Sequence, residues 1–140
     1  MIKKIFWFAG LLFLCSCGFN RENGDSLLVS QENVSKNEPV YRRISAEEAH
    51  DIMKSADFYI LLDVRTPEEH NEIKIPGSIL IPESEINERA PVELPDKNAL
   101  ILVHCRSGAR SEKASRALVE MGYTNIYDFG GIIDWPFETE

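Results

Sequence analysis

Cysteine is scarce in this chain, whose 140 residues include only Cys15, Cys17 and Cys105. Two of the three stand almost together near the N-terminus, so Cys105 is the sole thiol of the long remainder. That remainder cannot contain an internal disulfide, and its stability must come from a hydrophobic core.

Positive charge is also in short supply, with 15 basic against 23 acidic residues and a net charge of −8. This balance argues against a nucleic-acid-binding surface. No apolar run after residue 20 is long enough to cross a bilayer, and no internal repeat is visible. The length is that of one domain.

The N-terminal residues have the features of an export signal. Lys3 and Lys4 give a basic start, and Ile5–Leu14 is an apolar run too short for a stable membrane-spanning helix. The run ends in Leu-Cys-Ser-Cys, which resembles the lipobox of bacterial lipoproteins with Cys17 as the lipidated residue. We therefore expect a signal over residues 1–16 and a cell-envelope lipoprotein, anchored by its lipid on the extracytoplasmic side. The alternative is an ordinary signal or an uncleaved anchor with two incidental cysteines.

A polar segment follows the lipobox. Residues 18–39 are rich in Asn, Ser, Glu and Gly, with one short apolar patch. This composition is typical of a flexible tether, which we assign to residues 17–39 with the lipidated cysteine as its first residue. The folded domain then spans residues 40–140.

From Val40 onward the pattern alternates between strands and helices. Two nearly continuous apolar runs, Phe58–Val64 and Ala99–His104, are typical of strands buried on both faces of a parallel sheet. Shorter strands are predicted at 40–44, 78–81 and 125–129, and helices at 45–56, 83–90 and 110–121, with a further helix that starts at Thr66-Pro67. Alternating elements of this kind predict an α/β domain with a mainly parallel sheet, in which ligands bind at the carboxyl ends of the strands.

Cys105 stands at such a position, between a buried strand and the start of a helix. The loop Arg106–Arg110 contains a glycine and two arginines, and its backbone N–H groups and the helix dipole can stabilise a thiolate. A thiolate is the nucleophilic form of cysteine, and Arg106 and Arg110 can attract an anionic donor. The alternative is that Cys105 is only a small buried residue and the two arginines are solvated charges.

Three groups of motifs in this order resemble the rhodanese-like (sulfurtransferase) family. They are the Leu62-Asp63-Val64-Arg65, Glu68-Glu69 and Ile75-Pro76-Gly77-Ser78 segment, the Cys105–Ser111 loop, and Met121-Gly122-Tyr123 with Gly130-Gly131-Ile132 and Trp135. The match covers roughly residues 40–137. It implies a five-stranded, mainly parallel sheet with helices on both faces.

The resemblance also implies a chemistry and a set of site residues. Cys105 would take a sulfane sulfur from a small anionic donor such as thiosulfate, and a thiol or cyanide would accept it. Asp63 and Arg65 would border the site and brace it by hydrogen bonds and an ion pair, although a purely structural role is equally compatible. No cofactor is expected. The substrate-binding loop would comprise Arg106, Ser107, Gly108, Ala109 and Arg110.

The three histidines are not predicted to take part. His104 precedes Cys105 in a strand, so its side chain should point to the opposite face of the sheet and serve packing or the surface. His50 and His70 lie on helices without the neighbours that a metal site needs. No metal is therefore expected.

Two other functions compete with sulfur transfer. A phosphatase or arsenate reductase also uses a cysteine and an arginine in one loop, but only four residues separate Cys105 from Arg110, one fewer than in the tyrosine-phosphatase families. A non-catalytic binding or redox-sensing module of the envelope is the second alternative, since export removes the usual cytosolic thiol acceptors.

Overall fold

The computed structural model describes residues 41–140. The predicted signal, the lipidation site at Cys17 and the tether lie outside the described residues. Within the described part, no helix is both long and apolar enough to span a bilayer.

A parallel sheet of five strands organises the described residues. The strands occur in the spatial order β1-β5-β4-β2-β3. Their bounds are β1 Arg42–Arg43, β2 Ile60–Asp63, β3 Ile79–Leu80, β4 Ile101–Cys105 and β5 Ile126–Gly131. The predicted α/β class, the parallel sheet and the two apolar runs as buried strands are confirmed.

The two central strands are buried on both faces, and alternate residues enter two different cores. Leu62 and Val103 face a core shared with α3 and α4, whereas Leu61 and Leu102 face a core shared with α1. This explains why the sequence shows continuous apolar runs where a half-exposed strand would alternate. Helices therefore cover both faces, as predicted.

Four helices connect the strands, and two of them begin with capping boxes. Ser45 caps one and Thr66 caps another. In each case the carboxylate of the glutamate three residues later accepts a hydrogen bond from the backbone N–H of the capping residue. The bounds are α1 Ala46–Ser55, α2 Pro67–Glu72, α3 Ile86–Glu93 and α4 Ala109–Glu120. These capping motifs fix where α1 and α2 start.

The prediction for the third helix was inaccurate. A 3₁₀ turn occupies Glu83–Glu85, and α3 then continues to Glu93 although it contains Pro91. Proline is tolerated in the first turn of a helix, where its missing N–H would have no partner, but Pro91 lies in the second turn. The hydrophobic contacts of Ile86, Ala90 and Leu94 with the core hold this segment helical. Tertiary packing outweighs local propensity at this position.

His104 is fully buried and packs beside the ring of Phe129, with their ring centroids 5.2 Å apart. Its Nδ1 lies 3.4 Å from the carbonyl oxygen of Cys105, and its Nε2 has no hydrogen-bond partner among residues 41–140. The predicted packing role is confirmed. Burial, the largest effect, lowers the pKa of His104 to about 4, although Asp63 acts to raise it.

This buried histidine predicts a pH dependence of stability. Because its folded pKa is below its unfolded value, the unfolded chain binds the proton first as the pH falls. The free energy of unfolding should therefore decrease between about pH 6.5 and pH 4, by roughly 3 kcal/mol at most from this group. Urea unfolding at several pH values should show a shallower slope for His104→Gln. Parallel slopes for the two proteins would contradict the assignment.

Candidate active site

Cys105 is the last residue of β4, and a loop of three residues leads from it to α4. The loop is short because Gly108 adopts φ +103, a left-handed conformation that L side chains rarely take. The Cys105 side chain is only 1% exposed. The structure thus places the thiol at the carboxyl edge of the sheet, beneath the turn into α4.

Hydrogen-bond donors from this turn point at the sulfur. The Gly108 N–H donates to Cys105 Sγ over 3.1 Å. Burial raises the pKa of the Cys105 thiol, but the backbone N–H groups of Ser111, Gly108 and Ser107 outweigh it, so the pKa lies below its usual value. The site favours a thiolate despite its burial.

Ser111 also ties the loop to the neighbouring strand, although sequence reasoning did not select it as a site residue. Its hydroxyl oxygen is fully buried, 2.9 Å from the carbonyl oxygen of Gly108 and 3.3 Å from that of Gly130. One hydroxyl therefore connects the start of α4 to the end of β5. The signal available in the sequence was its place at the end of the Cys105–Ser111 motif, near the start of the helix that follows the cysteine.

The glycine pair at the end of β5 allows the loop to pass close to the sheet. A Cβ on Gly131 would overlap the carbonyl oxygen of Arg106 and lie 2.7 Å from the Cα of Ser107. The Ile133 N–H donates to that same carbonyl oxygen over 3.2 Å. The φ of −113 at Gly131 is accessible to any residue, so its backbone conformation does not require glycine. Glycine is required because the Cys105 loop passes so close to this position.

The two loop arginines differ in their surroundings. Both Nη atoms of Arg110 donate to Glu69, at 2.7 and 2.8 Å, and this pairing lowers the pKa of Glu69 to about 2. Arg106 is exposed and forms no ion pair within residues 41–140. The charge of Arg110 is therefore largely balanced, which leaves Arg106 as the loop cation available to an incoming anion.

Asp63 and Arg65 form a buried ion pair at the end of β2. Nη2 of Arg65 lies 2.6 Å from Asp63 Oδ2 and also donates to the carbonyl oxygen of Ile73 over 2.6 Å. Burial raises the pKa of Asp63, but the bonds from Arg65 and the charge of His104 lower it overall. His70 Nδ1 stands 3.0 Å from the same carboxylate, a contact that sequence reasoning missed. The ion pair holds α2 against the strand end.

Two small cavities flank this group of residues, and Arg65 lines both. The larger, of about 230 Å³, lies beside Arg106. The smaller, of about 90 Å³, lies beside Arg110. The larger cavity is lined by Arg65, Glu69, Glu72, Ile73, Arg106, Ile132 and Ile133.

Within residues 41–140, no group of three or more His, Cys, Asp or Glu side chains is arranged to hold a metal ion.

Comparison with known proteins identifies similar sequences. A family model described as the rhodanese-like domain matches residues 45–136. The thiosulfate sulfurtransferase PspE of Escherichia coli is 41% identical over 73 residues, which cover 52% of this chain and 70% of that protein. The thiosulfate sulfurtransferase GlpE of Coxiella burnetii is 30% identical over 97 residues, covering 69% and 88% respectively.

Solved structures resemble this one as well. A rhodanese with anions from Escherichia coli superposes with a TM-score of 0.56 at 36% identity, over 59% of this chain and 98% of that one. A rhodanese-related protein from Thermoplasma volcanium superposes with a TM-score of 0.62 at 31% identity, over 71% and 98%. These similarities agree with the observed five-stranded sheet.

Proposed function

Because this chain belongs to the rhodanese-like domain family, we propose that it is a sulfurtransferase that carries a sulfane sulfur as a persulfide on Cys105. Sulfur transfer of the rhodanese type is the activity named for several of its relatives. Thiosulfate as donor and a thiol or cyanide as acceptor are the finer part of the proposal. The loop Arg106–Arg110 would bind the donor.

The observation that carries the proposal is the set of donors around Cys105 Sγ. The N–H of Gly108 at 3.1 Å and the N–H groups of Ser107 and Ser111 favour an anionic sulfur. The same donors would stabilise the terminal sulfur of a persulfide, which also carries negative charge. The guanidinium of Arg106, which has no ion pair within the described residues, would attract the anionic donor.

The proposed reaction has two steps. The Cys105 thiolate attacks the outer sulfur of thiosulfate, the sulfur–sulfur bond of thiosulfate breaks, and its electron pair leaves with sulfite. Cyanide or a thiolate then attacks the outer sulfur of the persulfide, and the Cys105 thiolate is released. Both steps conserve charge and need neither an external oxidant nor a reductant.

A mass-spectrometric experiment tests the proposal. The full chain with Cys15→Ser and Cys17→Ser, called here the single-thiol chain, retains Cys105 as its only thiol. After thiosulfate treatment, the tryptic peptide 98–106 should carry one additional sulfur atom. Cyanide should remove that atom and yield thiocyanate. A peptide that remains unmodified would refute the persulfide.

A non-catalytic binding or redox-sensing module is the second candidate. The 1% exposure of Cys105 is the observation that favours it, because a buried thiol is shielded from large reactants. This candidate predicts no sulfur adduct on peptide 98–106 in the same experiment. A phosphatase is disfavoured because Arg110 is engaged by Glu69, and aryl phosphate hydrolysis should be undetectable.

We also propose that the protein is exported in bacteria and anchored by lipid on Cys17, with residues 1–16 as the signal. The sequence Leu-Cys-Ser-Cys after a short apolar run supports this. In bacteria fed a radiolabelled fatty acid, the full chain should become labelled and remain with the membrane. The Cys17→Ser chain should be unlabelled, whereas Cys15→Ser should be labelled. Labelling of the Cys17→Ser chain would refute the assignment.

A further inference from the structure

Asp128 is a fully buried carboxylate close to the active site that the proposed chemistry does not use. It lies on β5 and bonds to two groups: its Oδ1 accepts from the Gly130 N–H over 2.9 Å, and its Oδ2 pairs with Arg43 Nη1 over 2.6 Å. Burying a carboxylate costs free energy unless it is paired. The two bonds indicate that this carboxylate holds the side chain of Arg43 and the backbone of Gly130 in place.

The Asp128 bond to Gly130 spans a β-bulge. Val103 pairs with Asp128, but the next residue of β4 pairs with Gly130, so that Phe129 is the extra residue of β5. The bulge shifts the register just before Cys105, which then pairs with Gly131. Bulges next to active sites commonly redirect side chains and backbone. Here the bulge sets where the end of β5 meets the Cys105 loop.

Arg43 contacts the same region from β1. Its Nη2 lies 2.9 Å from the position of a Cβ on Gly108 and 3.0 Å from that of a Cβ on Gly130. The guanidinium therefore rests against two glycines, one at the start of α4 and one in the bulge. Gly108 donates to Cys105 Sγ, and the Gly130 carbonyl oxygen contacts the Ser111 hydroxyl.

We propose that Arg43 and Asp128 are a positioning pair that holds the Gly108 and Ser111 donors on the sulfur of Cys105, and so sets the reactivity of that sulfur. The role of Cys105 rests on the proposed function, whereas the geometric link does not. The pair acts through the backbone and touches no reacting atom. Arginine suits the task because its planar fork reaches the carboxylate and both glycines at once.

Among the other charged groups near this loop, Arg106 is exposed and has no ion pair within residues 41–140, whereas the remaining ones have separate partners. Arg110 pairs with Glu69, Arg65 with Asp63, and Glu112 with Arg116. The alternative explanation is that Arg43 acts only through its positive charge, which would stabilise a thiolate at a distance. The two explanations predict opposite effects for Asp128→Asn. Asp128→Asn leaves the charge of Arg43 uncompensated, so the charge explanation predicts that Cys105 ionises at lower pH. The same substitution breaks the bond between Asp128 and Arg43, so positioning predicts that Cys105 ionises at higher pH.

The experiment measures the rate at which iodoacetamide alkylates Cys105 as a function of pH, in the single-thiol chain. Positioning predicts that Arg43→Met and Asp128→Asn both move the profile to higher pH and lower the alkylation rate at pH 7 by about 3- to 10-fold. Arg43→Lys should recover little, because an ammonium lacks the fork. Arg42→Met is the matched control and should leave the profile unchanged, since within residues 41–140 the guanidinium of the adjacent Arg42 interacts with Tyr127, through its hydroxyl at 3.3 Å and its ring, and not with the Cys105 loop.

If the alkylation profile of Asp128→Asn moves to lower pH, the proposal is overturned in favour of simple charge. Equal shifts of the profile in Arg42→Met and Arg43→Met would have the same consequence. If Asp128→Asn does not fold, Arg43→Lys decides, because it keeps the positive charge at this half-exposed position but lacks the planar fork; an alkylation profile of Arg43→Lys equal to that of the unsubstituted chain would overturn the proposal in favour of simple charge. An unchanged profile in folded Arg43→Met would also overturn it. Alkylation requires no sulfur transfer, so failure of the proposed function would appear separately, as the absence of a persulfide on the unsubstituted thiol.

Discussion

Replacing Cys105 by serine will reduce sulfur transfer from thiosulfate to cyanide by at least about 1000-fold, because a hydroxyl cannot form the persulfide on which both steps depend. The serine side chain has the shape of the cysteine side chain, with a smaller oxygen atom in place of sulfur. The N–H of Gly108 can still donate to this oxygen. The fold should therefore be retained. Thiocyanate production under saturating thiosulfate is the measurement.

Ser115→Ala is a suitable control for this substitution. Ser115 is likewise fully buried, on α4, but its hydroxyl oxygen has no hydrogen-bond partner among residues 41–140. The alanine variant should keep normal sulfur transfer. Residual activity of Cys105→Ser within tenfold of the unsubstituted chain would show that another group carries the sulfur.

Replacing Gly131 by alanine should give the second largest effect. The added methyl group would overlap the Arg106 carbonyl oxygen, and backbone rather than a flexible side chain must move. Overpacking of this kind costs about 1–3 kcal/mol of the free energy of unfolding. Displacement of the loop by about 1 Å can lower the rate of sulfur transfer by about 100-fold. Urea unfolding and thiocyanate formation measure the two effects.

Gly77→Ala provides the comparison for this prediction. Gly77 has φ +78, so alanine is strained there, but nothing lies within 4 Å of the added Cβ. We expect a loss of about 1 kcal/mol in the free energy of unfolding and unchanged sulfur transfer. If Gly131→Ala affects stability alone, as Gly77→Ala should, then the close approach of loop and strand does not matter for the chemistry.

Much of the fold was predictable because local signals and burial agree. The continuous apolar runs identified β2 and β4, since a strand covered by helices on both faces needs no polar residues. The capping boxes at Ser45 and Thr66 fixed the starts of two helices. Cys105 was located because a strand followed by a glycine-containing turn and a helix places a side chain at the carboxyl edge of the sheet.

The partners of the site residues could not be read from the chain. Glu69 engages Arg110 across 41 residues, and Asp128 engages Arg43 across 85. Such pairs depend on strand order, which the sequence pattern does not specify. The β-bulge at Phe129 was not predicted, although the adjacent Gly130 was a signal for it, because glycine inside a strand often marks a bulge. The predicted roles of Arg106 and Arg110 in donor binding remain predictions.

The most direct test of the account is the pH dependence of Cys105 alkylation in the folded single-thiol chain, with the same chain unfolded in urea as the reference. Inward-pointing amides should make the folded thiol ionise at lower pH than the unfolded one, since they stabilise the anion more than burial destabilises it. A folded profile that coincides with the unfolded one, or lies at higher pH, would contradict the account.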